Sequence, residues 1–190
     1  ALPVLDEAIA LAKDPGEKLN PLFQKFNVLN WLKRPAEARE AIEAWTRQCR
    51  ALIDAMVVKT DGKPAEIARS RMEKCRRLFD LAARYCDQLK DEAKALAVLD
   101  EAIAMKDGDT ATRFAAICRK SEFLRAHKGA PEALSLAEEA LKIAEANPDL
   151  KLLPDAYSRL GQAYYANKKW DLAIETFIKA AENYGRTPVQ

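Results

Sequence analysis

The sequence predicts an all-α chain of antiparallel helical hairpins, with about nine helices delimited by stop signals. Three observations predict it. Glycine is scarce, six among 190 residues, while the good helix formers Ala, Leu, Glu, Lys and Arg dominate. β-Branched residues seldom alternate with polar ones, so the period of a strand is missing. Helix-stopping signals recur along the chain: Asp14-Pro15-Gly16, Arg34-Pro35, Asp61-Gly62-Lys63-Pro64, Asp107-Gly108-Asp109, Gly129-Ala130-Pro131, Asn147-Pro148-Asp149 and Gly185.

The elements follow in order from that punctuation. The segment 2–13 ends at the first Pro-Gly pair, and 18–33 runs to Arg34-Pro35. Segments 36–58 and 64–89 are both long and are separated by the Asp61–Pro64 turn. Segment 91–105 stops at Asp107-Gly108, and 110–127 stops before Gly129. Segments 131–146 and 151–167 flank Asn147-Pro148, and 170–184 runs to Gly185. Each is amphipathic, so each hides one face against a neighbour.

Composition excludes several classes. The 31 Lys and Arg nearly balance the 29 Asp and Glu, which gives +2 and argues against a dedicated nucleic-acid binder. With 49% apolar and 32% charged residues the chain is globular rather than disordered. No apolar run approaches the roughly 18–20 residues of a membrane span. Cys49, Cys75, Cys86 and Cys118 are scattered, none in a C-x-x-C pair, and His127 is the only histidine. A zinc site and a disulfide framework are therefore not expected, and no other cofactor motif is present. Four reduced thiols favour a cytoplasmic compartment. Export stays open, because the chain starts at Ala1 and reads as a processed protein or a fragment of a longer one.

Self-similarity is strong. Val-Leu-Asp-Glu-Ala-Ile-Ala occurs at Val4–Ala10 and again at Val98–Ala104. Looser copies begin at Leu136 and Leu172. A frame started at Pro154 places Tyr157, Leu160-Gly161, Tyr164, Ala173, Phe177 and Ala180 in a pattern that closely resembles the 34-residue tetratricopeptide repeat. From Phe114 the same frame gives Ile117, Ser121, Leu124, Ala133, Ala137 and Ala140. From Arg76 it gives Phe79, Ala82-Ala83, Cys86, Ala95, Leu99 and Ala102. Small residues at Ala83, Ser121 and Gly161, and at Ala95, Ala133 and Ala173, let the two helices of each hairpin approach closely. Lys120 stands where the pattern wants Leu, and Phe26 would fill a small-residue slot in the hairpin of 18–33 and 36–58.

The resemblance implies one repeat domain over 1–190, a right-handed superhelical solenoid. Its clear repeats are 76–109, 114–147 and 154–187, preceded by an atypical stretch at 1–75. It also implies a concave groove lined by first helices. Carried onto this sequence, the lining includes Arg77, Asp80, Arg84 and Asp87, then Cys118, Arg119, Glu122 and Arg125. The last repeat adds Asp155, Ser158, Arg159, Gln162 and Tyr165; because the signs are mixed, these charges either meet a partner or pair between neighbouring helices. One subfamily clamps chaperone C-termini with a Lys-Asn-Asn-Lys-Arg set. Here Asp80, Arg84, Arg119, Asp155 and Arg159 hold those slots, so that clamp is not expected.

Catalysis is not expected either. The lone histidine stands at a helix end, where a cation suits terminal carbonyls, and no phosphate-binding glycine loop occurs. Adjacent acids such as Asp100-Glu101 and Glu138-Glu139 point apart on a helix and form solvated faces. The basic run Arg69, Arg71, Lys74, Arg76 and Arg77 has no interleaved aromatics and reads as an exposed helix face. The sequence thus points to a non-catalytic protein-interaction scaffold. It would bind a peptide or an extended acidic segment in the groove, through Arg77, Arg84, Arg119, Glu122, Arg125, Arg159, Gln162 and Tyr165. Two alternatives stay open: self-assembly into a homo-oligomer through the end faces, with Trp170, Ile174, Phe177 and Ile178 at one end, and a docking arm of a larger protein.

Overall fold

The computed structural model describes residues 1–56, 62–105, 110–127 and 130–185, with the side chains of His127 and Ala130 outside that set. Among these residues the chain forms nine α-helices, one π turn and one 3-10 turn, and no strand. The helices are α1 (Leu2–Leu11), α2 (Pro15–Trp31), α3 (Pro35–Ala55), α4 (Pro64–Ala83), α5 (Glu92–Ala104), α6 (Thr110–His127), α7 (Ala130–Ala146), α8 (Leu153–Ala166) and α9 (Trp170–Gly185). The chain divides into two compact units, Ala1–Glu101 and Ala102–Gln190, with the boundary inside α5.

Proline sets several of the starts. It stands in the first or second helical position of α1, α2, α3, α4 and α8, where its missing N–H costs nothing and its fixed φ fits. Asp14-Pro15-Gly16 therefore opens α2 instead of leaving a gap to residue 18. The Asp14 carboxylate accepts from the Glu17 N–H at 2.9 Å, and the Glu17 carboxylate accepts from the Lys13 N–H at 2.7 Å. Two otherwise orphaned donors are satisfied, which makes the run a start signal.

In the first unit, α2 packs on α1 and α3, and α3 reaches α4. Leu29, Ile42, Ile53, Leu78 and Leu81 are fully buried there. Phe26 is buried too, so the hairpin of α2 and α3 forms despite a large residue in the small-residue slot. Its turn shares two closing bonds with the α8–α9 turn. Lys33 N–H donates to Asn30 O and Arg34 N–H to Leu29 O, as Lys168 N–H does to Tyr165 O and Lys169 N–H to Tyr164 O. Lys33 and Lys168 have left-handed φ of 57° and 59°, the conformation that turns the chain back after a helix.

One segment departs from the expected register. After Ala83 the helix loosens into a π turn over Arg84–Gln88, closed by Leu89 N–H to Arg84 O. A π turn inserts one extra residue. Upstream of it the buried face is therefore one residue earlier than the Arg76 frame places it: Leu78, Leu81 and Ala82 are buried, while Phe79 and Ala83 are half-exposed. Downstream, Cys86 is buried as expected.

In the second unit, α6 and α7 form one hairpin and α8 and α9 another, and α8 also lies against α7 and α6. Every residue placed inside by the Phe114 frame is buried: Ile117, Ser121, Leu124, Ala133, Ala137 and Ala140. Phe114, Ile117 and Cys118 of α6 meet Ala140 and Ala144 of α7 and Ala156 of α8. Leu134 and Ala137 of α7 meet Leu160 and Ala163 of α8. Lys120 is half-buried, which suits a residue whose aliphatic stem can lie on the core while its charge reaches water.

The hairpin crossings show why small residues are needed. The Ser121 hydroxyl donates to the Ala133 carbonyl at 2.7 Å, so a side chain of α6 touches the backbone of α7. At Gly161 a Cβ would stand 2.8 Å from two ring carbons of Phe177. The two crossings exchange volume. Glycine faces phenylalanine in one, and serine and alanine take the equivalent places, 121 and 137, in the other.

Candidate partner-binding face

The first helices of the second unit, α6 and α8, lie side by side and carry most of the expected groove residues. Arg119 Nη1 is 3.3 Å from Glu122 Oε2 within α6, and Arg159 Nη1 of α8 is 3.2 Å from the same oxygen. Two guanidinium groups thus converge on one carboxylate from neighbouring helices. The Arg119 side chain is 59% exposed and that of Arg159 is 34% exposed, so both keep donors in solvent. Arg125 is exposed on α6, six residues after Arg119, with no ion pair among the described residues. Gln162 is half-buried on α8, and Tyr165 is exposed, its ring edge-on to Trp170 at 4.9 Å.

Asp155, at the start of α8, is engaged by Tyr184 of α9, whose hydroxyl donates to Asp155 Oδ1. That bond, with burial and the carboxylate charge adding to it, raises the tyrosine pKa. Cys118 lies beneath this face, where burial pushes its thiol up to about 12 and the Arg159 charge opposes only part of the rise. Cys49 in the first unit is raised by burial to about 11, against the charge of Arg77. All four cysteines are buried and reduced.

Two consequences follow for the thiols. Each raised pKa belongs to the folded state, so the stability linked to it is full below the ordinary thiol value. It falls as pH climbs from there towards 11 and 12. Folded protein at pH 8 should therefore leave Cys49 and Cys118 unlabelled by iodoacetamide while urea-unfolded protein labels both, as peptide mass mapping would read. Fast labelling of either in folded protein would contradict their burial.

Arg77 and Arg84 belong to the first unit and are held within it. Arg77 Nε donates to Glu73 Oε1 at 2.9 Å. Arg84 opens the π turn and lies over the Phe23 ring at 4.3 Å, with Trp45 at 5.7 Å. Among the described residues its buried Nε has no hydrogen-bond partner, and the guanidinium rests on aromatic faces. Sequence reasoning missed Phe23 and Trp45, since neither is near Arg84 along the chain. The mixed signs of the lining left pairing between neighbouring helices as the alternative to contact with a partner, and Arg159 with Glu122 is such a pair. The side chain of His127, expected at its helix terminus, lies outside the described residues.

Among the described residues no group of three or more His, Cys, Asp and Glu is placed to hold a metal, and no helix is long and apolar enough to cross a membrane.

This architecture is an all-α, tetratricopeptide-like helical-repeat fold. The chain is similar to the crystal structure of the nearly identical TPR-like repeats of a kinesin light chain from Podosopora anserina, with 16% identity over 100% of this chain and 88% of that one and a TM-score of 0.66. It is also similar to the crystal structure of MamA, with 14% identity over 97% of this chain and 87% of that one and a TM-score of 0.53. No protein-family model and no curated protein matches the sequence.

Proposed function

We propose that the chain is a non-catalytic protein-interaction scaffold that binds an extended, acidic segment of another protein along the face formed by α6 and α8. The observation that carries this reading is the convergence of Arg119 and Arg159 on Glu122, with Arg125 exposed farther along α6. Arginine forks recognise carboxylates bidentately, and a chain that brings carboxylates can replace Glu122 as their acceptor. Gln162 and Tyr165 add an amide and an aromatic edge beside them. The contact is semi-exposed, so its Coulomb part weakens as salt rises.

The test uses a fluorescein-labelled Glu-rich peptide and its Gln-for-Glu twin, read by anisotropy. Arg119→Glu with Arg159→Glu should weaken binding of the acidic peptide by about tenfold or more, with helicity unchanged, as expected for charge reversal at rim-like positions. Glu122→Gln should strengthen it, because the competing carboxylate is gone. Equal binding of both peptides, or binding untouched by the double reversal, would contradict the proposal.

A further inference from the structure

Among the described residues the outer face of α9 is apolar and carries no other helix, although the inner side of the Phe177 ring packs at Gly161. Ile174 is 59% exposed, Ile178 54% and Phe177 38%, with exposed Trp170 and Ala181 on the same side. Spacings of three, four, seven and eight residues put all five on one helical stripe. The chain itself shows what such a surface accepts. Forty residues earlier in the repeat frame, Leu134 and Ala137 of α7 occupy the places of Ile174 and Phe177, and they are buried because Leu160 and Ala163 of α8 lie on them. Among the described residues no helix lies on the places of Ile174 and Phe177 in α9, and Ile178 stands where α7 has the exposed Glu138.

Its rim differs from that of α7. Asp171, Glu175 and Glu182 are exposed and lie along one edge of the stripe within a narrow arc, with the exposed Lys179 on the outer side of that arc, so the edge is acidic on balance. In α7 the equivalent places hold Pro131, Ser135 and Lys142. Stacking α8 on α7 therefore does not require acids at these three places.

We infer that the α9 face docks an amphipathic helix of a partner protein, one with an Ala/Leu stripe of the kind α8 presents to α7 and with Lys or Arg along its edge. Charge argues against a second copy of this chain as the occupant. Two α9 helices laid antiparallel about a two-fold axis set acidic edge against acidic edge, which repels. The exposed Val4 and Leu11 of α1 are accompanied by Glu7, and Asp6 is paired with Lys25 of α2. Helix α1 itself carries no Lys or Arg, so that end of a second copy brings no basic edge. A basic edge neutralises the rim while the stripe is covered.

The probe is a helical peptide of about 18 residues, long enough to span the α9 stripe. It carries Ala and Leu at the spacing of Ala156, Leu160 and Ala163 and lysine along one edge; a twin carries glutamate there. The lysine peptide should bind the full chain, and the glutamate twin should bind at least about tenfold more weakly. Ile174→Ser with Ile178→Ser should abolish binding; both residues are exposed, so circular dichroism should stay unchanged. Glu175→Lys with Glu182→Lys should invert the preference between the twins. Arg119→Glu with Arg159→Glu should leave lysine-peptide binding intact, which separates this site from the α6/α8 face. Binding of neither peptide, indifference to the rim charges, or loss of binding on the arginine reversal would overturn the inference. So would a concentration-dependent dimer in sedimentation that Ile174→Ser with Ile178→Ser dissolves, because a second copy would then be the occupant.

Discussion

Replacing Ser121 by leucine should destabilise the second unit by about 3 kcal/mol, the upper range for overfilling a packed site. The Ser121 hydroxyl already touches the Ala133 carbonyl at 2.7 Å, and Ala133 itself is fully buried. A branched four-carbon side chain there can be accommodated only by separating α6 from α7. That would also loosen the contacts of Leu134 and Ala137 with α8. Ser121→Ala should cost only about 1 kcal/mol, the worth of one buried hydrogen bond, since it adds no volume. Gly161→Ala should be milder than Ser121→Leu, because the Phe177 ring that its Cβ meets is partly exposed and can swing aside. Urea denaturation followed by circular dichroism ranks the three. A Ser121→Leu protein as stable as the parent would show that the crossing is not tight.

The second large effect lies in α4. Leu78→Ala should cost roughly 3 kcal/mol, as deletion of a fully buried leucine does, and Phe79→Ala only about half as much. On size alone the order would be the reverse, since phenylalanine loses more area. Burial decides it: Leu78 is fully buried and Phe79 only half so. The same denaturation measurement distinguishes the registers, and a larger loss from Phe79→Ala would restore the frame that starts at Arg76.

That register shows what could and could not be read from the sequence. The frames from Phe114 and Pro154 are legible because their tightest points demand small residues, and Ser121, Ala133, Gly161 and Ala173 are unusual enough together to fix the phase. The frame in α4 slips because Ala82 and Ala83 are both small, so either fits the slot. A π turn has no spacing signature of its own; the extra residue shows only when Leu78 and Leu81 are seen buried. The start of α2 was obscured because Asp-Pro-Gly suits a turn and an N-terminus alike, and the bonds of Glu17 decide between them.

The lining residues divide in the same way. Their places on first helices follow from the frame, but their partners depend on contacts between distant segments. Arg159 meets Glu122 only because α8 lies beside α6, and Arg84 meets Phe23 and Trp45 only because the chain returns past α2 and α3. The acidic edge of α9 was readable as three acids in one short segment. Its meaning emerged only when the apolar stripe beside them was found exposed.

The most direct measurement is an amide NMR titration of the isotope-labelled full chain with the Glu-rich peptide. The shifts should cluster at Arg119, Glu122, Arg125, Arg159, Gln162 and Tyr165, while Ile174, Ile178 and Glu182 on α9 stay still. Shifts concentrated at Glu138 and Lys142 on α7, or a saturated complex that moves none of the α6 and α8 residues, would contradict it.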